Sequence, residues 1–246
     1  MSSGVPQGTI LGPILFNVYV RHLPHVASSF GCELPMFADD MTLYATSPSP
    51  SMATQVLTCA LHALHTHLSE LGLNVNMEKS SVMFVSKHPS PQLPPVTIGT
   101  SNLQVTHQAR CLGVIITDNL SWSPHVDAIL SKVCQKIGVL RRCFRQLSVR
   151  ARRMYLLCVI LPDIEYALAS FVTHLSAGDR SRLSAVYRRA VRAASGANRQ
   201  DDITPLLAGL CIQPFELRIV SLFANFVFKC KIHQSSARCS LFPQHV

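Results

Sequence analysis

An α+β fold is what this chain predicts, on three features of its sequence. Short apolar runs bounded by turn residues recur between residues 32 and 117, each long enough only for a small strand. From Trp122 onward, apolar residues recur at helical spacing almost without a break. Hydrophobic residues make up 48% of the 246 and charged residues only 14%, a balance that can fill a core and excludes a largely disordered chain.

The elements follow in order. Gly12 and Pro13 suit an N-cap and a first helical position, and Ile14, Leu15, Val18 and Tyr19 continue at helical spacing until Pro24. Residues 32 to 45 predict a β-hairpin with Asp39 and Asp40 at or near its tip. Ser51 is placed to cap a helix with the apolar face Val56, Leu57, Ala60, Leu61, Leu64, Leu68 and Leu71, ended by Gly72. Residues 80 to 86 predict a strand, and the Pro-rich stretch from Pro89 to Pro95 a loop and first boundary. Strands are expected at 96 to 99, 103 to 107 and 110 to 117. Helices are expected at 123 to 147, 149 to 161, 163 to 175, 179 to 195 and 214 to 232. Three regions result: 1–88, 89–121 and 122–246.

Charge divides the chain more sharply than its total of +9 suggests. Residues 1 to 122 hold four Lys/Arg against six acids, whereas residues 123 to 246 hold eighteen against seven. A polyanion is the natural partner of the second half. Nine cysteines, an odd number without a C-x-x-C pair, several of them (Cys59, Cys134, Cys158) inside apolar runs, read as reduced, buried thiols of an intracellular protein, nuclear or cytoplasmic and not secreted. Pro6, Gly12 and Pro13 interrupt any leader-like start, and Pro162, Asp163 and Glu165 interrupt the apolar stretch Leu156 to Leu175, so no membrane partner is expected.

Two adjacent carboxylates between apolar runs are costly unless something positive meets them, most usefully divalent metal. Asp39 and Asp40 are such a pair. Side chains of neighbouring strand residues point to opposite faces, so both can approach one metal site only at a turn. Upstream, Val5-Pro6-Gln7-Gly8 combines a fixed φ, an amide that both donates and accepts, and a glycine that permits close backbone approach. That suits a loop pressed against a nucleotide or base pair. In the basic half, Arg182, Arg188, Arg189 and Arg192 fall largely off the face carrying Leu183, Val186, Ala190 and Val191, and Arg141, Arg142, Arg145, Arg150, Arg152 and Arg153 form a second run. Few acids compensate either run, which fits a surface that tracks phosphates.

Taken in order, Val5-Pro6-Gln7-Gly8 to Leu15-Phe16-Asn17, Phe37-Ala38-Asp39-Asp40, Gly72-Leu73-Asn74 to Lys79, Arg110-Cys111-Leu112-Gly113-Val114, Ile160-Leu161-Pro162 to Ala167 and the Arg-Arg-Ala-Val-Arg helix resemble the reverse transcriptases of non-LTR (LINE-type) retrotransposons. The resemblance implies an incomplete polymerase palm over 1–88, a β connection like a primer grip over 89–121, and a basic helical thumb over 122–246. It implies an RNA-directed DNA polymerase, a nucleotidyltransferase using magnesium and deoxynucleotides on an RNA template and DNA primer. Asp39 and Asp40 would be catalytic metal ligands and Lys79 the lysine near the nucleotide phosphates. Pro6, Gln7, Gly8 and Phe37 would meet nucleotide or template. Leu112, Gly113, Arg141, Arg142, Arg188, Arg189 and Arg192 would meet primer and duplex.

In that family another ligating Asp precedes the Val-Pro-Gln-Gly segment, where only Met1 to Gly4 stand here. The expectation is therefore a fragment, inactive alone, whose missing N-terminal portion belongs to the same polyprotein. The alternative is a non-catalytic nucleic-acid-binding remnant of a transposon protein. Arg21-His22 and Phe37 depart from the residues the family more often carries. His62, His65 and His67 do not share one helix face, and Cys230, His233, Cys239 and His245 lack zinc-site spacing, so no zinc is expected.

Overall fold

The computed structural model describes residues 8–86 and 95–233. The chain forms two compact units, residues 1–109 and 110–246. The division falls inside the stretch expected as a β connection.

In the first unit α1 (Gly12–Val20) and α2 (Leu23–Ser28) precede a hairpin of β1 (Met36–Phe37) and β2 (Asp40–Met41). The long α3 (Pro50–Glu70) follows, then β3 (Ser81–Val82), β4 (Thr97–Ile98), β5 (Ser101–Asn102) and β6 (Gln104–Val105). β4 pairs antiparallel with β5, and β3 pairs parallel with β6. Helix α3 serves two small cores. Ala60, Leu64 and Leu68 meet Leu23, Ala27, Cys32 and Leu34, while Leu57 and Leu61 pack against Val82, Val96, Ile98 and Leu103.

α3 starts at Pro50 behind Ser49, two residues before the expected cap Ser51, because proline's fixed φ and missing N–H fit a first turn. Its other end is a Schellman closure: Gly72 takes φ +70°, its N–H bonds Ser69, and the Leu73 N–H reaches Leu68 at 2.8 Å. Pro24 does more than stop α1, since it also begins α2, which the sequence reading did not anticipate. The periodic face of α1 is not a core face. Ile14, Leu15, Val18 and Tyr19 are all exposed, and Val20 is the buried residue of that helix.

The second unit opens with the β-hairpin β7 (Gln108–Cys111, which starts just before the division) and β8 (Val114–Thr117), then runs helically. α4 (Ser123–Arg142) ends in a 3-10 turn at Phe144–Gln146, short of the expected residue 147. α5 (Val149–Tyr155) continues through a π-wound turn, Leu156–Ile160, into α6 (Leu161–Glu165) and then, past Tyr166, α7 (Leu168–Phe171). The helix expected over 163–175 is broken because Ala167 adopts φ +53°. α8 (Ala177–Ser195), α9 (Ile203–Leu210) and α10 (Phe215–His233) complete the unit, α9 being unanticipated.

Val126, Ile129, Val133, Ile137 and Leu140 form the inner stripe of α4 and meet Leu183, Val186, Tyr187 and Ala190 of α8. Leu156, Ile160, Leu161, Ile164, Leu168 and Phe171 join the same core. Each fully buried Leu, Ile or Phe contributes about 1.5–3 kcal/mol, so this stripe pattern alone explains why the helices assemble. Tyr187 donates its buried hydroxyl to the Gln213 carbonyl at 2.7 Å, and burial pushes its pKa up to about 12. Val149–His174 is long and apolar enough to cross a membrane by length and composition, yet it is interrupted at Ala167 and sends many of its apolar side chains into this core. The thiols expected to be buried are not: Cys59 and Cys158 are exposed, Cys134 is half-buried, and Cys32 is the buried one among the described residues. At 59 and 158 the helices turn those positions outward.

Candidate active site and nucleic-acid interface

The hairpin carrying the carboxylate pair is as the alternation predicts. Met36 faces Met41, Phe37 faces Asp40, and Glu33 bridges Tyr44 further out. Ala38 and Asp39 are therefore the two turn residues and Asp40 the first of β2. Ala38 holds φ +52°, a left-handed conformation that alanine adopts at a cost of about 1–2 kcal/mol. Both carboxylates and Phe37 are exposed. Lys79 is also exposed, on a turn where Asn76 Oδ1 accepts the Lys79 backbone N–H. Gly8 is exposed with φ +86°; Pro6 and Gln7 lie outside the described residues.

Among the described residues, no group of three or more His, Cys, Asp or Glu gathers as metal ligands. Two carboxylates at one turn fall short of the ligand set that a pair of cations needs. The histidines of α3 go elsewhere: His62 meets the Thr97 hydroxyl at 3.3 Å, His67 lies 3.3 Å from Glu70, and His65 lines an open groove of about 460 Å³ with Asn74, Met77 and Gly99.

In the second unit the segment expected as one strand over 110–117 is a tight hairpin. Leu112 (φ +47°) and Gly113 (φ +84°) are its central residues, and two left-handed positions in succession match the twist of a two-residue turn. Asn-Gly is the usual signal for such a turn, and leucine at the first position hides it.

The arginines sort into two sets. Five acids of the unit hold cations at fixed places. Asp163 meets Lys132 at 2.9 Å and also Lys136, Glu165 takes Arg218 through two bonds of 2.7 and 2.9 Å, Glu216 pairs with Arg180, and Arg182 is shared by Asp127 and Asp179. Three more arginines serve the backbone or a neighbouring side chain. Arg192 donates to the Asp201 carbonyl at 3.0 and 3.2 Å, Arg153 to the Leu210 carbonyl, and Arg189 to Cys134 Sγ at 3.5 Å. Arg152 stacks over the Phe144 ring at 3.9 Å. Arg141, Arg142, Arg145, Arg150 and Arg188 remain exposed, with no ion pair and no side-chain hydrogen bond among the described residues. This partition was not readable from sequence, because most of the pairings join residues of different helices, as Lys132 with Asp163 and Arg182 with Asp127.

His125 ties the β7–β8 hairpin to α4: it is buried, its Nδ1 accepts the Ile115 N–H at 3.4 Å, and its ring stands edge-on to Phe171. Burial, helped by the charge of Arg110, lowers its pKa below the ordinary 6.5. Between those two values the unfolded chain binds a proton that the folded unit refuses. Stability is thus complete above about pH 6.5 and declines as pH falls below it, levelling once the folded pKa is passed. Melting temperatures measured from pH 7.5 down to 5 should fall, and His125→Asn, which keeps an acceptor for Ile115, should flatten that fall.

Comparison with known proteins shows what the chain is similar to. Residues 1–116 match the family described as reverse transcriptase (RNA-dependent DNA polymerase). The chain is 26% identical, over 99% of its length, to the "Probable RNA-directed DNA polymerase from transposon BS" of Drosophila melanogaster. It is 25% identical, over 80% of its length, to the RNA-directed DNA polymerase from mobile element jockey of Drosophila funebris. Over 56% of its length it is 29% identical to the "Probable RNA-directed DNA polymerase from transposon X-element" of Drosophila melanogaster. The chain spans 28% of the first of these relatives and 22% of the second. No solved structure matches it. The chain is a relative of the reverse transcriptases of non-LTR retrotransposons, with the family match carried by its first 116 residues.

Proposed function

We propose that this chain works as one segment of an RNA-directed DNA polymerase, contributing part of the catalytic palm and a basic helical thumb that holds the template–primer. The observation that carries the reading is the Asp39–Asp40 turn, which presents two exposed carboxylates from a two-residue hairpin in a stretch matching the family. Divalent metal, magnesium by family resemblance, would supply charge neutralisation at the transferring phosphate. Asp39 and Asp40 would offer one wall for it, and any further ligand would have to be supplied from elsewhere in the polymerase. Within this chain, Lys79 would approach nucleotide phosphate from its exposed turn, Pro6, Gln7, Gly8 and Phe37 would meet the nucleotide or template, and the Leu112–Gly113 tip would meet the primer end. Such a polymerase segment acts inside a cell, in the nucleus or cytoplasm.

The unpaired set Arg141, Arg142, Arg145, Arg150 and Arg188 supports the duplex-holding half of the reading. A guanidinium already bound to a carboxylate has little to gain from phosphate, whereas an exposed unpaired one releases counterions when phosphate arrives. Arg189 and Arg192 would sit beside this set while serving the fold.

Three measurements test the reading. The 246-residue chain should bind an RNA–DNA duplex with steep salt dependence, and Arg141→Gln with Arg142→Gln should weaken it about tenfold and reduce the log–log salt slope by about 2. An unchanged slope would remove the proposed surface. The chain alone should not extend a primer with magnesium and deoxynucleotides; extension would show that its metal centre is whole. Duplex binding without any effect of Asp39→Asn and Asp40→Asn on magnesium-dependent nucleotide binding would instead fit a non-catalytic remnant.

A further inference from the structure

The β7–β8 hairpin is fastened at both ends to the helical unit, and the fastening at its tip is specific. The Tyr166 hydroxyl donates to the Leu112 carbonyl at 2.6 Å. Its ring lies under the turn, so that a side chain at Gly113 would begin 3.4 Å from Tyr166 Cε1. At the base, Ile115 is bonded to His125, and the Thr117 hydroxyl donates to the Ser121 carbonyl. Tyr166 itself stands at the end of α6, a helix pinned by Asp163 to Lys132 and Lys136, by Glu165 to Arg218, and by fully buried Ile164.

This clamp holds something unfavourable. Leu112 is 44% exposed and sits in a left-handed conformation that Asn or Gly would take more easily. An exposed apolar side chain on a strained turn gains nothing for the fold, and strain maintained by surrounding contacts points to use.

We propose that Tyr166 is a positioning residue: through the Leu112 carbonyl it fixes the Leu112–Gly113 tip as the platform on which the 3′-terminal nucleotide of a primer rests. The inference rests on the polymerase reading above. Tyr166 touches no reacting atom; it sets the height and tilt of the leucine that does the touching. Its hydroxyl is the part that matters, since the ring alone would support Gly113 without choosing the orientation of the Leu112 peptide.

The test uses the 246-residue chain and an RNA template–DNA primer with a recessed 3′ end carrying 2-aminopurine at its last position, beside the same duplex made blunt. The unchanged chain should bind the recessed duplex at least fivefold more tightly than the blunt one and change the 2-aminopurine fluorescence on binding. Tyr166→Phe keeps the ring, and should bring the preference within twofold and abolish the fluorescence change. Tyr155→Phe, a hydroxyl lost elsewhere in the same unit, should keep both. A preference that survives Tyr166→Phe overturns the positioning role alone. Equal weakening of both duplexes by Tyr166→Phe also overturns it, leaving a structural role. No preference in the unchanged chain overturns the polymerase reading of this hairpin and the positioning role with it.

Discussion

Replacing Gly196 by alanine should destabilise the helical unit by about 2–5 kcal/mol. Two costs combine there. Gly196 ends α8 with φ +77°, where a residue with a Cβ loses about 1–2 kcal/mol. The added Cβ would also lie 2.3 Å from Phe144 Cζ, so the ring must move, and forcing a packed side chain aside costs about 1–3 kcal/mol. The ring is not free to move cheaply, because Arg152 stacks on it with its Nε already buried and unpartnered. Urea unfolding followed by circular dichroism measures the loss. The same substitution on a Phe144→Leu background removes the opposing Cζ and should return the penalty to the backbone part, about 1–2 kcal/mol. A loss below about 1 kcal/mol in the single variant would mean that neither the turn nor the ring resists.

Asp179→Ala is the second large effect, at about 2–4 kcal/mol. Its carboxylate is buried and accepts from the Ser123 and Ser176 hydroxyls at 2.8 Å each and from Arg182 at 3.1 Å, while its own N–H bonds Ser176 Oγ at the start of α8. Ser176 and Asp179 thus close the helix entrance reciprocally, and Ser123 ties that entrance to α4. Arg182 keeps Asp127 when Asp179 is removed, so no charge is stranded, which sets the upper bound. Burial raises the Asp179 pKa, but the two serines and Arg182 outweigh it and hold the carboxyl below its ordinary 3.8. Asp163 is held low in the same way by Lys132 and Lys136, against its own burial. Both contributions are complete above about pH 3.8 and disappear as pH falls through the folded values. Acid titration of Asp179→Ala should therefore show a shallower loss of stability below pH 4 than the unchanged chain, and an identical acid limb would sink the argument.

What could be read from sequence follows from how locally each feature is encoded. α8 was legible because its stripe of Leu183, Val186, Ala190 and Val191 is long and even, although the helix begins at Ala177 behind Ser176, ahead of the expected residue 179. The hairpin over 32–45 was legible from alternation, and with it the location of Asp39 and Asp40 at a turn. α9 was missed because eight residues show little periodicity, although Asp202 before Ile203-Thr204-Pro205 is a start signal and its carboxylate does accept the Thr204 N–H. The breaks at Leu112 and Ala167 were hidden because residues other than glycine take the left-handed positions, held there by packing that local sequence does not reveal. For α1 the period was right, yet its apolar stripe is exposed, since a stripe says which residues share a face and nothing of what covers it. At the basic surface the sequence supplied the charges. Which of them are spoken for was decided by helices that meet only in three dimensions.

The coil from α5 through the π-wound turn Leu156–Ile160 sets an angular phase for all that follows it. The wide turn absorbs one residue more than an even coil with little change of phase, but deleting one residue from the evenly wound α5 ahead of it would swing everything that follows about 100° around the axis and draw it back about 1.5 Å. Tyr166, six positions past Ile160, would then point away from the Leu112 carbonyl, and the hairpin would lose its latch without the loss of a single contact residue. The count of amino acids along that continuous coil, rather than their identity, is what aims the tyrosine.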